Sequence, residues 1–424
     1  MVPRLTLSAM ANEEMAELES WLNTNWDPSL TVGEWWQILA DSGYAKPSLP
    51  ENAYGKGWGN AQETQAMRMM ASKDILGPPP GLGYMLAAPT IAAHGTKDQI
   101  NRYIPQILNG QEAWCQLFSE PVAGSDLAGL QTKGVQDGDE WHVTGQKVWT
   151  SQGHAADLGM LIARTDPTAP KHRGMSYFAI DMDQDGVDVR PLKEMTGRTF
   201  FSEVFMDNAV VRNEDRLGDM GDGWRVANTT LTVERTSIGT GSTGVAMAAP
   251  GKKMNSFDRV AGDVVQKAKE SRAEGHAPGV GMKLFDRYVE IARKLGRTEE
   301  PTMRQDLMKL YTMLQVNRFN GQRARVKNQR TGAEPNIGKL WNGEHHRQFR
   351  DIGLRIIGAD GMLAPTASMT DPAIVNVALN AQAPPIYGGT DQIQRNIIGE
   401  RVLGLPKEPG HDRNVPFNEL PKNA

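Results

Sequence analysis

The stretch Glu140-Trp141-His142-Val143-Thr144-Gly145-Gln146-Lys147-Val148-Trp149 is rich in aromatic and β-branched residues and follows the turn Asp137-Gly138-Asp139. This combination is typical of a β-strand that begins after a tight turn. Three further short segments of the same kind follow at residues 158–163, 175–180 and 203–206. Such closely spaced strands predict an all-β domain that extends from about residue 114 to about residue 224.

Helical periodicity lies on both sides of this β region. Before it, apolar residues recur at spacings of three and four within residues 12–22, 61–71 and 96–108. After it, the same spacing predicts helices at residues 226–247, 282–295, 302–329, 337–357 and 391–402. Residues 250–281 contain Pro and Gly and are expected to interrupt the helices. The sequence therefore predicts an α+β multidomain fold, with an N-terminal helical domain (1–113), a middle β-barrel or β-sandwich domain (114–224), a C-terminal helical bundle (225–407) and an arm or loose tail (408–424).

Composition excludes several classes of function. The 424 residues include 46 Lys plus Arg and 50 Asp plus Glu, a formal net charge of −4, which argues against a basic nucleic-acid binder. With Cys115 as its one cysteine, the chain has no disulfide framework, and its scattered histidines predict no metal site. Residues 1–8 lack the apolar core of a signal peptide, and no stretch approaches the roughly 18 apolar residues of a membrane span. We therefore expect a soluble, cytoplasmic protein that binds neither nucleic acid nor membrane.

Three loops combine small, aromatic and hydroxyl residues in unusual ways. In Ser119-Glu120-Pro121-Val122-Ala123-Gly124-Ser125-Asp126, small residues would let backbone N–H groups approach a flat or anionic ligand, unless the loop is an ordinary turn. In Lys147-Val148-Trp149-Thr150-Ser151-Gln152-Gly153, the Trp at the strand end either stacks on a ligand or belongs to the core. In Pro385-Ile386-Tyr387-Gly388-Gly389-Thr390-Asp391-Gln392-Ile393-Gln394, the helix start fits either a bound phosphate or a simple cap.

In this order, the three loops resemble those of the acyl-CoA dehydrogenase family, above all bacterial members such as those of steroid side-chain and branched acyl-CoA degradation. Further segments that resemble the family are Gly95-Thr96-Lys97-Asp98-Gln99, Leu217-Gly218, Gly223-Trp224 and Gly358-Ala359-Asp360-Gly361. The resemblance extends from about residue 10 to residue 407. It implies a noncovalent FAD, an acyl-CoA substrate that becomes a trans-2-enoyl-CoA, and an electron-transfer flavoprotein as electron acceptor. It also implies an oligomer, either a homotetramer or homodimer or a heterotetramer with a related chain.

The resemblance also implies which residues contact the ligands. The cofactor positions are Gln116, Phe118, Ser119, Gly124, Ser125, Trp149, Ser151, Gly358, Thr390 and Gln392. The family pattern matches poorly around Arg304, which we take as a candidate pyrophosphate contact. Arg355 stands where the family usually has glutamine, and a cation there fits either a pyrophosphate contact or a solvated face. The substrate positions are Ser125, Arg235, Tyr387 and Gly388. Ser151 replaces the threonine that the family usually has beside the flavin ring, and it keeps the hydroxyl that can hydrogen-bond the flavin.

The family's usual catalytic base is missing from this chain. Most members carry that glutamate in an Ile-Tyr-Glu-Gly-Thr segment, whereas this chain has Gly388 at the glutamate position. A minority of the family, such as isovaleryl-CoA and long-chain dehydrogenases, places the base on a helix that matches Leu231-Thr232-Val233-Glu234-Arg235-Thr236. The resemblance therefore makes Glu234 the candidate for the carboxylate that removes the substrate's α-proton. Judged on the residues alone, a helical glutamate beside Arg235 also fits an ordinary surface ion pair.

Two other functions are compatible with the same residues. Because of Gly388, the chain could be a noncatalytic subunit of a heteromeric acyl-CoA dehydrogenase, which needs a partner chain to complete the flavin site. It could also be a family relative with oxidase or monooxygenase chemistry. The colour of the purified chain and the production of hydrogen peroxide separate these functions from the first.

Overall fold

A computed structural model of the chain describes residues 4–238, 249–254, 256–273, 279–324, 326, 331–364, 367–368, 370–407 and 414–421. Its α-helices are α1 (Arg4–Asn25), α2 (Val32–Asp41), α3 (Asn60–Ser72), α4 (Ala88–His94), α5 (Lys97–Leu108), α6 (Gly223–Ile238), α7 (Ala261–Ala273), α8 (Met282–Lys294), α9 (Pro301–Arg323), α10 (Glu334–Ile357), α11 (Pro372–Asn380) and α12 (Asp391–Ile397). Its strands are β1 (Trp114–Leu117), β2 (Lys133–Asp137), β3 (Glu140–Ser151), β4 (Leu158–Arg164), β5 (Met175–Asp181), β6 (Val187–Leu192), β7 (Phe201–Arg212) and β8 (Arg216–Leu217). Helical regions before and after a sheet domain confirm the predicted fold class.

The middle of the chain forms an eight-stranded mixed sheet. The strand order is β6-β7-β3-β2-β4-β5-β8, and β1 joins the sheet as a parallel neighbour of β4. The long strands β3 and β7 pair antiparallel from Glu140 opposite Arg212 to Ser151 opposite Phe201. Their register shifts between Lys147 and Thr150, so β3 bulges near its end. Such a bulge redirects a side chain out of the regular sheet pattern.

Alternate residues of the central strands belong to two different cores. In β4, Leu161 lies in the core of the sheet domain, whereas its neighbour Ile162 lies in a larger core shared with the N-terminal helices and α6. Because successive side chains of a strand point to opposite faces, a strand covered on both faces is apolar throughout. The sheet core includes Trp141 of β3, whose ring lies 5.6 Å from that of Phe178 in β5.

Two tryptophans anchor the N-terminal helical domain. Trp35 and Trp36 of α2 are fully buried, and their indole N–H groups donate to the carbonyls of Leu76 (2.7 Å) and Gly77 (2.9 Å). The predicted helix over 96–108 is confirmed as α5, with Thr96 as its N-cap in a capping box. The box residue Gln99 also donates to backbone carbonyls that lead into β8, and it thereby ties the helices to the sheet domain.

The segment after α6 differs from the sequence expectation. Residues 239–248, the end of the helix predicted at 226–247, lie outside the described residues. The interruption expected at 250–281 is wrong for its central part, which forms α7. Val264 of α7 packs in the N-terminal core, and the backbone N–H groups of Val32 and Gly33 donate to carbonyls just before α7 at 2.8 and 3.0 Å. Helix α7 forms because its apolar face is covered by a domain that is distant in sequence.

The C-terminal helices α8 to α11 share a third core. Tyr288 and Phe349 lie at its centre, where the Tyr288 hydroxyl donates to the Phe349 carbonyl at 3.1 Å. Gly353 permits this close packing, because a Cβ at that position would lie 2.6 Å from the Tyr288 oxygen. Helix α10 also contacts α6. This contact brings the bundle towards the junction of the helical and sheet domains.

The end of the chain is not entirely a loose tail. Within the described residues 414–421, Pro416 forms a β-bridge with Pro170, and the backbone N–H of Phe417 donates to the carbonyl of Ala169 at 3.0 Å. The Phe417 ring is 8% exposed and lies 3.7 Å from the guanidinium carbon of Arg164, in a cation–π contact. Of the two expected alternatives, this docked segment fits an arm rather than a loose tail, and the Phe417 ring anchors it.

We predict that Phe417→Ala releases this segment while the rest of the fold persists. Loss of the buried ring and its cation–π contact costs about 2 kcal/mol, which corresponds to roughly 30-fold more open tail. Thermolysin cleavage at Leu420 should accelerate by about that factor under native conditions. Phe319→Ala, which removes a ring that is exposed on α9, serves as the control. Equal cleavage rates in the wild type and Phe417→Ala would contradict the anchoring role.

Candidate functional site

A large cavity is lined by residues of the N-terminal helical domain, the sheet domain and the C-terminal helices. Its volume is about 1540 Å³, above the 300–1,000 Å³ of most small-molecule sites. Many of the predicted ligand residues line it, namely Gln116, Ser119, Gly124, Ser125, Trp149, Ser151, Glu234, Tyr387, Gly388 and Thr390. Residues that are up to 274 positions apart in sequence, Gln116 and Thr390, therefore face one space.

Glu234 and Gln116 meet on one wall of this cavity. The Gln116 side-chain amide donates to Glu234 Oε2 at 3.5 Å, and both side chains are half-buried. The carboxylate comes from α6 and the amide from β1. This contact fixes one oxygen of a half-buried carboxylate on the cavity wall. The neighbouring candidate Arg235 lies in α6, but its side chain falls outside the described part of the structure.

The bulge of β3 presents Trp149 to the cavity. Trp149 has a φ of 61°, a conformation that non-glycine residues rarely adopt, and it is 60% exposed. Its ring meets Phe201 edge-on at 5.8 Å, and Ser151 follows two residues later on the same cavity wall. A strained backbone conformation thus exposes a large aromatic surface at Trp149. The exposure excludes the alternative that Trp149 is a core residue.

A buried ion pair holds the loop of residues 119–126. Lys147 is completely buried, and its ammonium donates to Glu120 Oε1 at 2.9 Å and to the Phe118 carbonyl at 3.0 Å. The other Glu120 contacts are the backbone N–H groups of Gln131 and Thr132, at 2.6 and 2.9 Å. Burial acts to raise the pKa of Glu120, but Lys147 and these donors outweigh it and hold the pKa below its ordinary value. The loop is therefore fixed before any ligand binds.

The segment 385–390 reaches the cavity from the C-terminal bundle. Gly388 and Gly389 both have positive φ, 62° and 86°, and the side-chain amide of Gln394 donates to their carbonyls at 3.1 and 3.4 Å. Thr390 caps α12, because its hydroxyl accepts from the N–H of Ile393 at 3.2 Å. The glycine pair leaves this side of the cavity without a side-chain carboxylate.

Some predicted ligand residues do not line the cavity. Phe118 is buried, and its ring packs against Tyr177 at 5.9 Å. Arg304, Arg355, Gly358 and Gln392 are exposed on the C-terminal bundle. Among these, Arg355 forms an ion pair with Asp306. The roles of these residues in cofactor binding stay predictions. Since they do not line this cavity, a cofactor that they contact would lie outside it.

Sequence reasoning missed two polar groups at the cavity. One is the Lys147–Glu120 pair, because a lysine in a strand gives no sign that it is buried. The other lies in the N-terminal domain, where Lys46 Nζ donates to Glu63 Oε1 at 3.2 Å and the Tyr84 hydroxyl donates to the same atom at 3.1 Å. All three side chains of this second group line the cavity. They come from a loop, from α3 and from the turn before α4, so no local motif connects them.

Two further properties concern the described residues only. No three His, Cys, Asp or Glu side chains of that part of the chain are arranged to hold a metal ion. No helix found in it combines the length and apolar character needed to cross a membrane.

Comparison with known families places three matches along the chain. Models of the acyl-CoA dehydrogenase N-terminal, middle and C-terminal domains match residues 4–111, 115–209 and 269–403. Acyl-CoA dehydrogenase FadE34 of Mycobacterium tuberculosis is 37% identical over 87% of this chain and 46% of its own length. Acyl-CoA dehydrogenase IpdE1 of the same organism is 34% identical over 88% of both chains. The chain thus spans about half of the first relative and most of the second.

Solved structures show the same fold. The structure titled "Tcur3481-Tcur3483 steroid ACAD" is 25% identical, with a TM-score of 0.66 over 94% of this chain and 98% of that chain. The ChsE4-ChsE5 complex from Mycobacterium tuberculosis has a TM-score of 0.64 over the same shares at 22% identity, which supports the fold alone.

Proposed function

Since this chain belongs to the acyl-CoA dehydrogenase family, we propose that it catalyses the FAD-dependent α,β-dehydrogenation of an acyl-CoA thioester to a trans-2-enoyl-CoA. The observation that carries this proposal is the Glu234 carboxylate, which lies on the cavity wall within 3.5 Å of the Gln116 amide. In the proposed reaction, Glu234 removes the α-proton as the β-hydrogen leaves with its electron pair. When bound, FAD supplies the acceptor for that hydride.

The residues present fit a flavin. The exposed Trp149 offers a flat aromatic face, and Ser151 offers a hydroxyl, on one wall of the cavity. At Gly124 a Cβ would meet nothing within 4 Å, so the preformed loop 119–126 leaves room for a ligand along its backbone. We assign Gln116, Ser119, Gly124, Ser125, Trp149 and Ser151 to the flavin, with Thr390 near its phosphates.

The proposed base works through desolvation. When a bulky thioester fills the cavity, water leaves the surroundings of Glu234 and the carboxylate's proton affinity rises. The Gln116 amide holds the carboxylate in place without neutralising its charge. Tyr387 and Gly388 also line the cavity, and the absence of a side chain at residue 388 gives space to the acyl group. Ser125 and Arg235 stay candidate substrate contacts.

We propose that an oligomer completes the cofactor site. Arg304, Arg355 and Gly358 are exposed on the bundle and away from this cavity, which supports a role at the cofactor of a second subunit. That subunit is another copy or a related chain, as the names of the ChsE4-ChsE5 and Tcur3481-Tcur3483 structures describe for those proteins. An electron-transfer flavoprotein is the proposed electron acceptor. The fully buried thiol of Cys115 is compatible with the cytoplasm, where we place the reaction.

Anaerobic bleaching of the flavin tests the function. The chain is purified alone and with a related partner chain, and its visible spectrum is recorded before and after addition of a panel of acyl-CoA thioesters. We expect a yellow protein whose flavin absorbance is lost with at least one thioester while a trans-2-enoyl-CoA forms. A yellow protein that no thioester bleaches would contradict the proposal. Hydrogen peroxide formed in air at the rate of substrate loss would instead assign oxidase chemistry.

A further inference from the structure

A buried polar cluster faces the cavity from the N-terminal domain, and the proposed proton removal does not use it. We call Lys46, Glu63 and Tyr84 the Lys46 cluster. Glu63 Oε1 accepts from Lys46 Nζ at 3.2 Å and from the Tyr84 hydroxyl at 3.1 Å, and Glu63 Oε2 accepts from the Ser48 N–H at 3.3 Å. The Lys46 ammonium also lies 4.0 Å from the centre of the Tyr84 ring. The cluster is therefore a defined constellation rather than a single polar side chain.

The burial of this ion pair has a cost that packing alone does not explain. The side chains of Lys46 and Glu63 are 9% and 16% exposed. Desolvation of such a pair often outweighs its attraction, and two apolar side chains of similar size would hold α3 to the preceding loop at least as well. Both residues line the cavity. A ligand with a polar atom could hydrogen-bond to these charged side chains, which would explain why they are present.

The cluster has hydrogen-bonding capacity left for a ligand. An ammonium carries three donors, and within the described residues the Lys46 ammonium donates to Glu63 and lies over the Tyr84 ring. The Tyr84 oxygen donates its hydrogen to Glu63 and can still accept one. Lys46 can thus donate to a ligand oxygen, and Tyr84 can accept from a ligand hydroxyl.

The net charge of the Lys46 cluster favours a neutral ligand oxygen, such as that of a ketone or hydroxyl, over a carboxylate. Burial raises the pKa of Tyr84 well above its ordinary value, and the adjacent Glu63 carboxylate adds to this effect, so Tyr84 is neutral. Burial also acts to raise the pKa of Glu63, but Lys46 and the other donors prevail and lower it, so Glu63 is ionised. One positive and one negative charge cancel. A ligand carboxylate would add an uncompensated buried charge, whereas a ketone or hydroxyl would not.

Apolar residues surround the cluster and continue along the cavity. Leu49, Met67, Met85, Leu86 and Pro89 line the same space. Such a wall suits a hydrocarbon skeleton, and the volume of about 1540 Å³ leaves room for an acyl group besides the flavin that we place in the same cavity. A large, mainly apolar acyl group with one polar atom matches this lining better than a short or a plain chain.

We propose that the Lys46 cluster binds a ketone or hydroxyl oxygen of the acyl group, which makes bulky, oxygen-bearing acyl-CoA thioesters the preferred substrates. This inference rests on the proposed function, because it assumes that the cavity takes an acyl-CoA. Lys46, Glu63 and Tyr84 are then specificity-determining residues: Lys46 donates to the ketone oxygen, and a hydroxyl group can in addition donate to Tyr84.

The test compares thioesters that differ in one atom. CoA thioesters of fused-ring carboxylic acids carry a ketone, a hydroxyl or only hydrogen at one ring position remote from the thioester. We measure kcat/KM for each with the flavin-loaded protein, and dissociation constants by calorimetry with the Glu234→Gln variant. We expect the ketone and hydroxyl compounds to be favoured at least tenfold over the deoxy compound in both measurements, since one good hydrogen bond is worth about that factor.

Three variants make the test specific. Lys46→Met/Glu63→Gln removes both charges together, so no lone buried charge remains, and the preference should fall below about threefold. Tyr84→Phe keeps the ion pair and should reduce the preference for the hydroxyl compound more than that for the ketone. Lys73→Met/Glu19→Gln changes a partly exposed pair of the same types, 2.8 Å apart and on the surface, and should leave the preference as in the wild type.

The outcomes separate this inference from the proposed function. Equal kcat/KM and equal affinity for the ketone, hydroxyl and deoxy compounds in the wild type would overturn the inference and leave the dehydrogenase function intact. An unchanged preference in folded Lys46→Met/Glu63→Gln would overturn it as well. If no thioester binds or bleaches the flavin, the proposed function itself fails.

Discussion

Glu234→Gln should lower kcat by about 10³-fold, since a positioned general base contributes roughly 10²–10⁴-fold. Glutamine keeps the size of the side chain and can still contact Gln116, which lies 3.5 Å from Glu234 Oε2, but it cannot take up a proton from the substrate. The flavin spectrum and thioester binding should therefore stay close to those of the wild type. Anaerobic stopped-flow bleaching with a thioester that the wild type oxidises measures the loss directly.

A matched control uses another glutamate. Glu214 is 67% exposed beside Arg212 at the surface, so Glu214→Gln should leave kcat unchanged. Turnover of Glu234→Gln within a few-fold of the wild type would remove this carboxylate from the mechanism. In that case the chain would fit a noncatalytic subunit better, because the described cavity wall at Gly388 carries no side chain.

Lys147→Met should produce the largest loss of stability. The substitution leaves the Glu120 carboxylate buried, 4% exposed, with backbone donors but without its counter-charge. Removal of one partner from a buried ion pair costs about 3–5 kcal/mol, and we expect the thermal midpoint to fall by roughly 5 °C or more. Flavin content should fall too, because Lys147 fixes Glu120 and the Phe118 carbonyl at the start of loop 119–126.

Two comparisons show whether the buried charge is the cause. Lys147→Met/Glu120→Gln leaves neither charge in the interior and should regain part of the lost stability. Lys294→Met removes a lysine from an exposed pair with Glu290, 2.7 Å apart, and should cost less than about 1 kcal/mol. An equal fall for the single and double variants would indicate lost packing rather than an unpaired carboxylate.

The broad fold could be predicted because its local patterns agree with its tertiary structure. Strand β3 and helix α5 carry their own signals, a turn with β-branched residues in one and a capping box in the other. Helix α7 was missed because its stability comes from contacts with the N-terminal core, which no window of sequence displays. The docking site of the segment at Phe417 could not be predicted for the same reason, since its partner Arg164 lies about 250 residues earlier in the chain.

In the candidate site, too, some parts could be predicted from the sequence and others could not. The loops that meet at Trp149, Gly124 and Thr390 were found through resemblance to a family, and the structure brings them to one cavity. The Lys147–Glu120 pair and the Lys46 cluster were not found. Lysine and glutamate are usually solvated, so their burial depends on the three-dimensional arrangement and not on any local pattern.

The two left-handed glycines at 388 and 389 restrict which residues this turn can accept. A glutamate introduced at 388 would have to adopt a φ near 62°, which costs an ordinary residue roughly 1–2 kcal/mol. A side chain at 389 would place its Cβ 2.6 Å from the Gln394 amide nitrogen. Gly388→Glu alone would restore the Ile-Tyr-Glu-Gly-Thr pattern of most family members, but it would carry that cost in backbone strain. The backbone conformation thus disfavours a carboxylate at residue 388, and the close approach of the Gln394 amide requires a glycine at residue 389.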